Sequence, residues 1–198
     1  MGVFGLLLPL CALAVTPQLS TLPIAGLDRE YRVDGVIMAA YRTHLDQQQH
    51  TLILSNTGTF RVDGHDARSA RLYATLFADG DDGARQRWLI EDLVDTCPVD
   101  VTAQFRDPAT TISDADGDGT PEIWIAYLVT CRSDVSPATL KLIGHEGAQK
   151  YALRGHTRML FPDSTVGGEY EADPALKRAP KLLEHASKLW MAVRDEHF

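Results

Sequence analysis

One stretch constrains the fold of this chain more than any other: Asp114-Ala115-Asp116-Gly117-Asp118-Gly119-Thr120-Pro121-Glu122. Three carboxylates stand at alternate positions, followed by a glycine and then a fourth carboxylate. Asp and Gly are turn formers. Pro121 pushes Thr120 away from helical backbone. The next residues, Ile123-Trp124-Ile125-Ala126-Tyr127-Leu128-Val129, are a β-branched and aromatic run with no polar face. Such a run reads as a strand, and one that is apolar on both faces must be covered on both sides. A tight acidic loop that feeds a doubly covered strand demands a layered, β-rich fold.

The order of carboxylates also has chemical content. Ca²⁺ takes six to eight oxygens at flexible geometry. Asp114, Asp116 and Asp118 can each turn one carboxylate inward, Gly119 permits the sharp curl, the Thr120 carbonyl falls where such loops supply an oxygen, and Glu122 closes the sphere. Mg²⁺ fits less well, because it prefers small octahedral sites and keeps its waters. The loop has no Cys or His for zinc. It departs from the EF-hand, which needs a bidentate Glu at its twelfth position; here that position is Ile125. Instead it resembles the D-x-D-x-D-G-x-x-[DE] loops of β-rich extracellular repeats such as FG-GAP repeats, where the ion sits between two strands. The alternative is a solvated acidic turn.

Further segments read as strands in hairpins. Val36–Tyr41 and Thr51–Leu54 flank the polar knot Asp46–His50. Ala70–Phe77 and Arg87–Val94 flank Asp79-Gly80-Asp81-Asp82-Gly83. Thr139–Ile143 and Lys150–Arg154 flank Gly144–Gly147. The clearest helix is C-terminal, over about 180–195: Leu182, Leu183, Ala186, Leu189, Trp190 and Val193 share one face, and Pro180 suits the first turn. An amphipathic helix of this kind packs on its own sheet or docks to a partner. The expected fold class is therefore mainly β: an antiparallel sheet of hairpins with one C-terminal amphipathic helix packed on it, forming a single domain over 28–198.

Val3–Val15 is an apolar run whose length suits a signal-peptide core, with Ala12-Leu13-Ala14 as a cleavage site, so residues 1–14 are expected to be removed. No Lys or Arg precedes the run, and a buried N-terminal helix is the alternative. Leu10 stands where a lipobox needs a small residue, which excludes Cys11 as a lipidation site. Two cysteines remain, Cys97 and Cys131, and an even pair in an exported chain suggests a disulfide. Cys97 opens the strand-like segment 98–105, while Cys131 ends the strand that follows the acidic loop. Antiparallel pairing of the two places both cysteines at the end opposite that loop. A bridge would close about 35 residues and stabilise by roughly 3–4 kcal/mol; two buried thiols are the alternative.

The net charge of −8 argues against nucleic acid and anionic membrane as partners. H-E-x-x-H, G-x-S-x-G, Walker A and G-x-G-x-x-G are all missing from the sequence, and nothing selects two carboxylates as a glycosidase pair. No catalytic residue is assigned.

The stretch from Trp88 to about Thr157 resembles a family of exported bacterial proteins of unknown function, loosely labelled surface polysaccharide biosynthesis proteins. The residues that carry the resemblance are Cys97, the Asp114–Glu122 loop, Tyr127, Cys131-Arg132-Ser133-Asp134-Val135-Ser136-Pro137, Lys141-Leu142-Ile143, Glu146-Gly147 and Lys150–Gly155. The resemblance covers about a third of the chain. It implies export to the periplasm or cell surface and a Ca²⁺ cofactor; an export signal paired with a structural ion and no catalytic constellation makes a binding or accessory role, linked to surface glycans, the expected function. Two other roles stay open: an inhibitor or immunity protein with a protein partner, and a hydrolase whose carboxylates converge only in the fold.

Overall fold

The computed structural model describes residues 17–196. The apolar run at Val3–Val15, its cleavage site and Cys11 lie outside them. In chain order, β1 (Ser20–Thr21), α1 (Leu27–Glu30), β2 (Val36–Leu45), β3 (Gln48–Asn56), β4 (Phe60–Arg61), β5 (Arg68–Ala78) and β6 (Arg85–Cys97) come first. Then follow β7 (Asp100–Phe105), β8 (Thr111–Ser113), β9 (Glu122–Arg132), β10 (Thr139–Glu146), β11 (Gln149–His156), β12 (Arg158–Phe161) and β13 (Ser164–Gly167). The chain ends with β14 (Tyr170–Ala172), α2 (Pro174–Lys177), α3 (Pro180–Val193) and β15 (Asp195–Glu196).

The first sheet runs β1-β2-β3-β5-β4, with β6 also on β5; the second runs β14-β11-β10-β9-β7, with β8 also on β9. All their pairings are antiparallel. A small third sheet, β13-β12-β15, adds one parallel pair between β12 and β15. The fold is thus mainly β and antiparallel, with α3 packed on the sheets.

Alternation along β9 explains its doubly apolar sequence. Ile123, Ile125, Tyr127 and Val129 enter a core that also holds Leu52, Leu54, Leu72, Leu76 and Ile90 of the first sheet. Trp124, Ala126 and Leu128 enter the opposite core, with Leu182, Ala186, Trp190 and Val193 of α3. Both sides of the strand are therefore covered, as its sequence demands, and one cover is the C-terminal helix. Gly144 on β10 is required by this packing. A Cβ there would lie 2.6 Å from the Trp124 ring, which no core tolerates without a shift.

Three details differ from the sequence reading. The polar knot at 46–50 shrinks to a two-residue turn, because Asp46 and Gln47 both adopt positive φ, 49° and 62°, as tight hairpins of this kind require. This frees His50 to lie buried within β3. Cys97 closes β6 rather than opening the next strand, and β7 begins at Asp100. The hairpin of β12 and β13 lies in a stretch that the hydrophobic pattern leaves unassigned.

The two cysteines are joined, with Cα atoms 5.7 Å apart. Cys131 pairs across to Val101 near the far end of β9 from the acidic loop. The residues after it are a clasp. Arg132 donates to the Ser136 carbonyl and to Glu196, the latter at 2.6 Å. Ser136 Oγ donates to Asp134 at 2.6 Å, and Thr157 Oγ1 donates to Glu196 at 2.5 Å. Arg158 grips Asp195 through two bonds of 2.6 and 2.5 Å, and Arg106 donates to the carbonyls of Val193 and Asp195. Three arginines, on β9, on β12 and just past the end of β7, thus hold β15 in place. The Cys131–Pro137 segment tethers the end of the described chain.

Candidate metal centre

The acidic loop joins β8 to β9, which are paired up to Ser113 and Glu122. Both ends of the loop are therefore held by a sheet ladder. Its curl is built from its own carboxylates. Asp114 accepts from the backbone N–H groups of Gly117 at 2.9 Å and Gly119 at 3.1 Å, one on each oxygen. Asp116 accepts from Asp118 N–H at 3.2 Å, and Asp118 from Thr120 N–H at 2.7 Å. Gly117 and Gly119 have φ of 77° and 92°, backbone that residues with a Cβ rarely adopt.

Oxygens of Asp114, Asp116 and Glu122 lie within 4.8 Å of one another. Those of Asp116, Asp118 and Glu146 form a second group within the same limit, so Asp116 belongs to both. Of the expected residues, the structure brings Asp114, Asp116 and Glu122 into one acidic group that could hold a metal ion, while Asp118 joins Asp116 in the second. Thr120 is exposed and enters the loop's bonding through its N–H.

Glu122 is the deepest member, fully buried. It accepts from Ala115 N–H at 3.1 Å and from Ser113 Oγ at 3.0 Å. Burial pushes its carboxyl above the ordinary value, and those two hydrogen bonds oppose the rise. A bound cation favours the ionised form and reverses the effect of burial. Ser113 Oγ also lies 3.2 Å from Nε2 of His185 on α3. Because Ser113 gives its proton to Glu122, it accepts from His185. Lys181, in the first turn of α3, donates to the Asp116 carbonyl.

Sequence reasoning missed Glu146. It lies outside the loop, and only the register of β9 against β10 sets it opposite Glu122. Tyr151 donates to one of its oxygens at 2.8 Å; the other is buried without a hydrogen-bond partner. The signal available in the sequence was Glu146-Gly147 among the residues of the family resemblance, which carried no geometry. The hydrolase alternative calls for two carboxylates in one cleft; one cleft of about 200 Å³, between β2, β3 and β7, is lined by Tyr41, Asn56, Phe105 and Asp107. Asp107 is the one carboxylate in that lining, whereas glycoside hydrolysis uses two.

Comparison with family models, curated proteins and solved structures finds no match to this chain. No helix among the described residues is long and apolar enough to cross a membrane.

Proposed function

We propose that the protein is an exported calcium-binding module of the cell envelope, in which one Ca²⁺ completes the loop between β8 and β9. The observation that carries this reading is the approach of Asp114, Asp116 and Glu122 within 4.8 Å, with Glu122 fully buried. Like charges at that spacing repel, and a buried carboxylate needs compensation. An all-oxygen donor set suits a hard cation. The ligands are Asp114, Asp116, Asp118, the Thr120 carbonyl and Glu122, joined by Glu146 from the neighbouring hairpin. Every ligand comes from the β8–β9 connection or the β10 end beside it, so the ion's role is structural.

Export is supported by the apolar N-terminal run and by the Cys97–Cys131 bridge, since disulfides belong to oxidising compartments. An export signal paired with a structural ion, and no catalytic constellation in the sequence, support a binding or accessory role, and the family label makes a surface glycan the partner class to test. Calorimetric titration tests the cofactor. Ca²⁺ is expected to bind with Kd on the order of 10⁻⁴–10⁻³ M, and Asp116→Ala to remove most of the binding; wild-type affinity in that variant refutes the ligand set. Binding to the producer's envelope polysaccharides, with Ca²⁺ and with EGTA, tests the partner. A protein captured with high affinity, with no glycan bound, overturns that assignment in favour of an inhibitor.

A further inference from the structure

Two histidines lie apart from the carboxylate loop, and the calcium reading makes no use of them. His50 stands on β3 of the first sheet and His145 on β10 of the second; they are only 5% and 7% exposed. Both line one cavity of about 80 Å³ between the sheets, together with Asp46, Arg87, Trp88 and Pro121.

Each ring is set up to offer a lone pair. Neither ring nitrogen of His145 has a hydrogen-bond partner, although both are buried. Buried polar groups are almost always partnered, so this imidazole is incomplete without an occupant of the cavity. Its plane is fixed by Trp88, stacked on it with centroids 4.5 Å apart and 14° between the planes. His50 Nδ1 lies 3.0 Å from the Gln48 carbonyl. A carbonyl only accepts, so Nδ1 carries the hydrogen and Nε2 keeps its lone pair. A carbonyl behind the far nitrogen is the usual device for orienting an imidazole toward a metal.

We propose that this cavity binds one divalent transition ion of the zinc, nickel or copper class, held by His50 Nε2 and a ring nitrogen of His145. Imidazole nitrogen suits these ions, as carboxylate and carbonyl oxygen suit calcium. Asp46, exposed at the cavity edge, contributes negative charge, and water takes the remaining positions. Arg87 is exposed, and its long stem lets the guanidinium stay in solvent. The cavity has room for several waters and so for an aquated ion. The two donor sets select different ions, although Pro121 of the carboxylate loop also lines this cavity.

Trp88 makes the proposal testable through its contact with His145. The full-length oxidised chain, kept in excess Ca²⁺ to fill the carboxylate loop, is titrated with Ni²⁺ while tryptophan fluorescence and heat are recorded. Saturable quenching is expected. His50→Gln and His145→Gln should each weaken binding about tenfold or more. Trp88→Phe should remove most of the quenching while the heat of binding persists. Absence of saturable quenching in the native chain overturns the site. So does a titration that both histidine variants leave unaltered, since the ion then sits on exposed histidines such as His44 or His65. Circular dichroism checks each variant, and if His145→Gln does not fold, His50→Gln decides alone.

Discussion

At one end of β9, Cys131 and Arg132 find their partners within the chain. Cys131 is bonded to Cys97, and Arg132 meets Glu196, with side chains only 20% and 11% exposed. At the other end, Glu122 opens into a loop where Asp114 and Asp116 approach it, and Asp116 in turn groups with Asp118 and Glu146. The loop satisfies its carboxylates with backbone N–H groups, which settles hydrogen bonding but not charge. The difference teaches where the stability of each end comes from. The cysteine end carries its countercharge in the sequence, whereas the acidic end gathers carboxylates that, in the proposed reading, take a cation from the solvent.

The comparison breaks first if the cysteine end is not self-sufficient. Replacing both cysteines, Cys97→Ser with Cys131→Ser, should lower stability in urea by about 3–4 kcal/mol, with or without Ca²⁺. A loss that Ca²⁺ repairs would show that the ends are not independent. Arg132→Met leaves the Glu196 carboxylate without its charged partner and should lose about 2–3 kcal/mol, below the loss for a fully buried pair because both groups retain some solvent.

At the acidic end the sign reverses. Glu122→Gln removes a buried charge, so in EGTA at neutral pH the variant should be as stable as the native chain or up to about 1 kcal/mol more so. In Ca²⁺ it should lose the ion's stabilisation. Urea unfolding under both conditions checks this.

The pH dependence sharpens the same contrast. The Glu122 carboxyl is raised in the fold, chiefly by burial. Its stabilising contribution without a cation is therefore complete in acid and is lost as pH rises through the folded value. Ca²⁺ should abolish that loss, so the gain from Ca²⁺ should grow from acid to neutral pH. His145 behaves oppositely: burial lowers it from 6.5 to about 4. Its contribution is present above 6.5 and disappears as pH falls toward 4, whether or not Ca²⁺ is bound. Thermal unfolding across pH, with Ca²⁺ and with EGTA, separates the two. The smallest effect is expected for Glu146→Gln, a several-fold weakening of Ca²⁺ binding measured by calorimetry.

How much of this was legible in the sequence follows from range. The loop is local: Asp114, Asp116, Asp118 and Glu122 are neighbours in the chain, and their alternate spacing with Gly119 reported their convergence directly. Strand β9 was legible because its apolar run had no polar face, and α3 because its stripe repeats at helical spacing. Glu146, His50 and His145 were not, since each gains its meaning from strand register or from sheet-on-sheet packing. His50 was further hidden by the turn: nothing in Asp46-Gln47 announces that two non-glycine residues take positive φ. The role of Arg132 was unreadable for the same reason, because its charged partner Glu196 reaches it only through the pairing of β15 with β12.

The most direct test of the account is thermal unfolding of the oxidised protein at neutral pH in millimolar Ca²⁺, then in Mg²⁺, then in EGTA. The account predicts a rise in Tm of several degrees with Ca²⁺ that Mg²⁺ does not reproduce and that Glu122→Gln abolishes. An unchanged Tm in Ca²⁺ would contradict it, and would make the acidic end a solvated turn whose carboxylates need no ion.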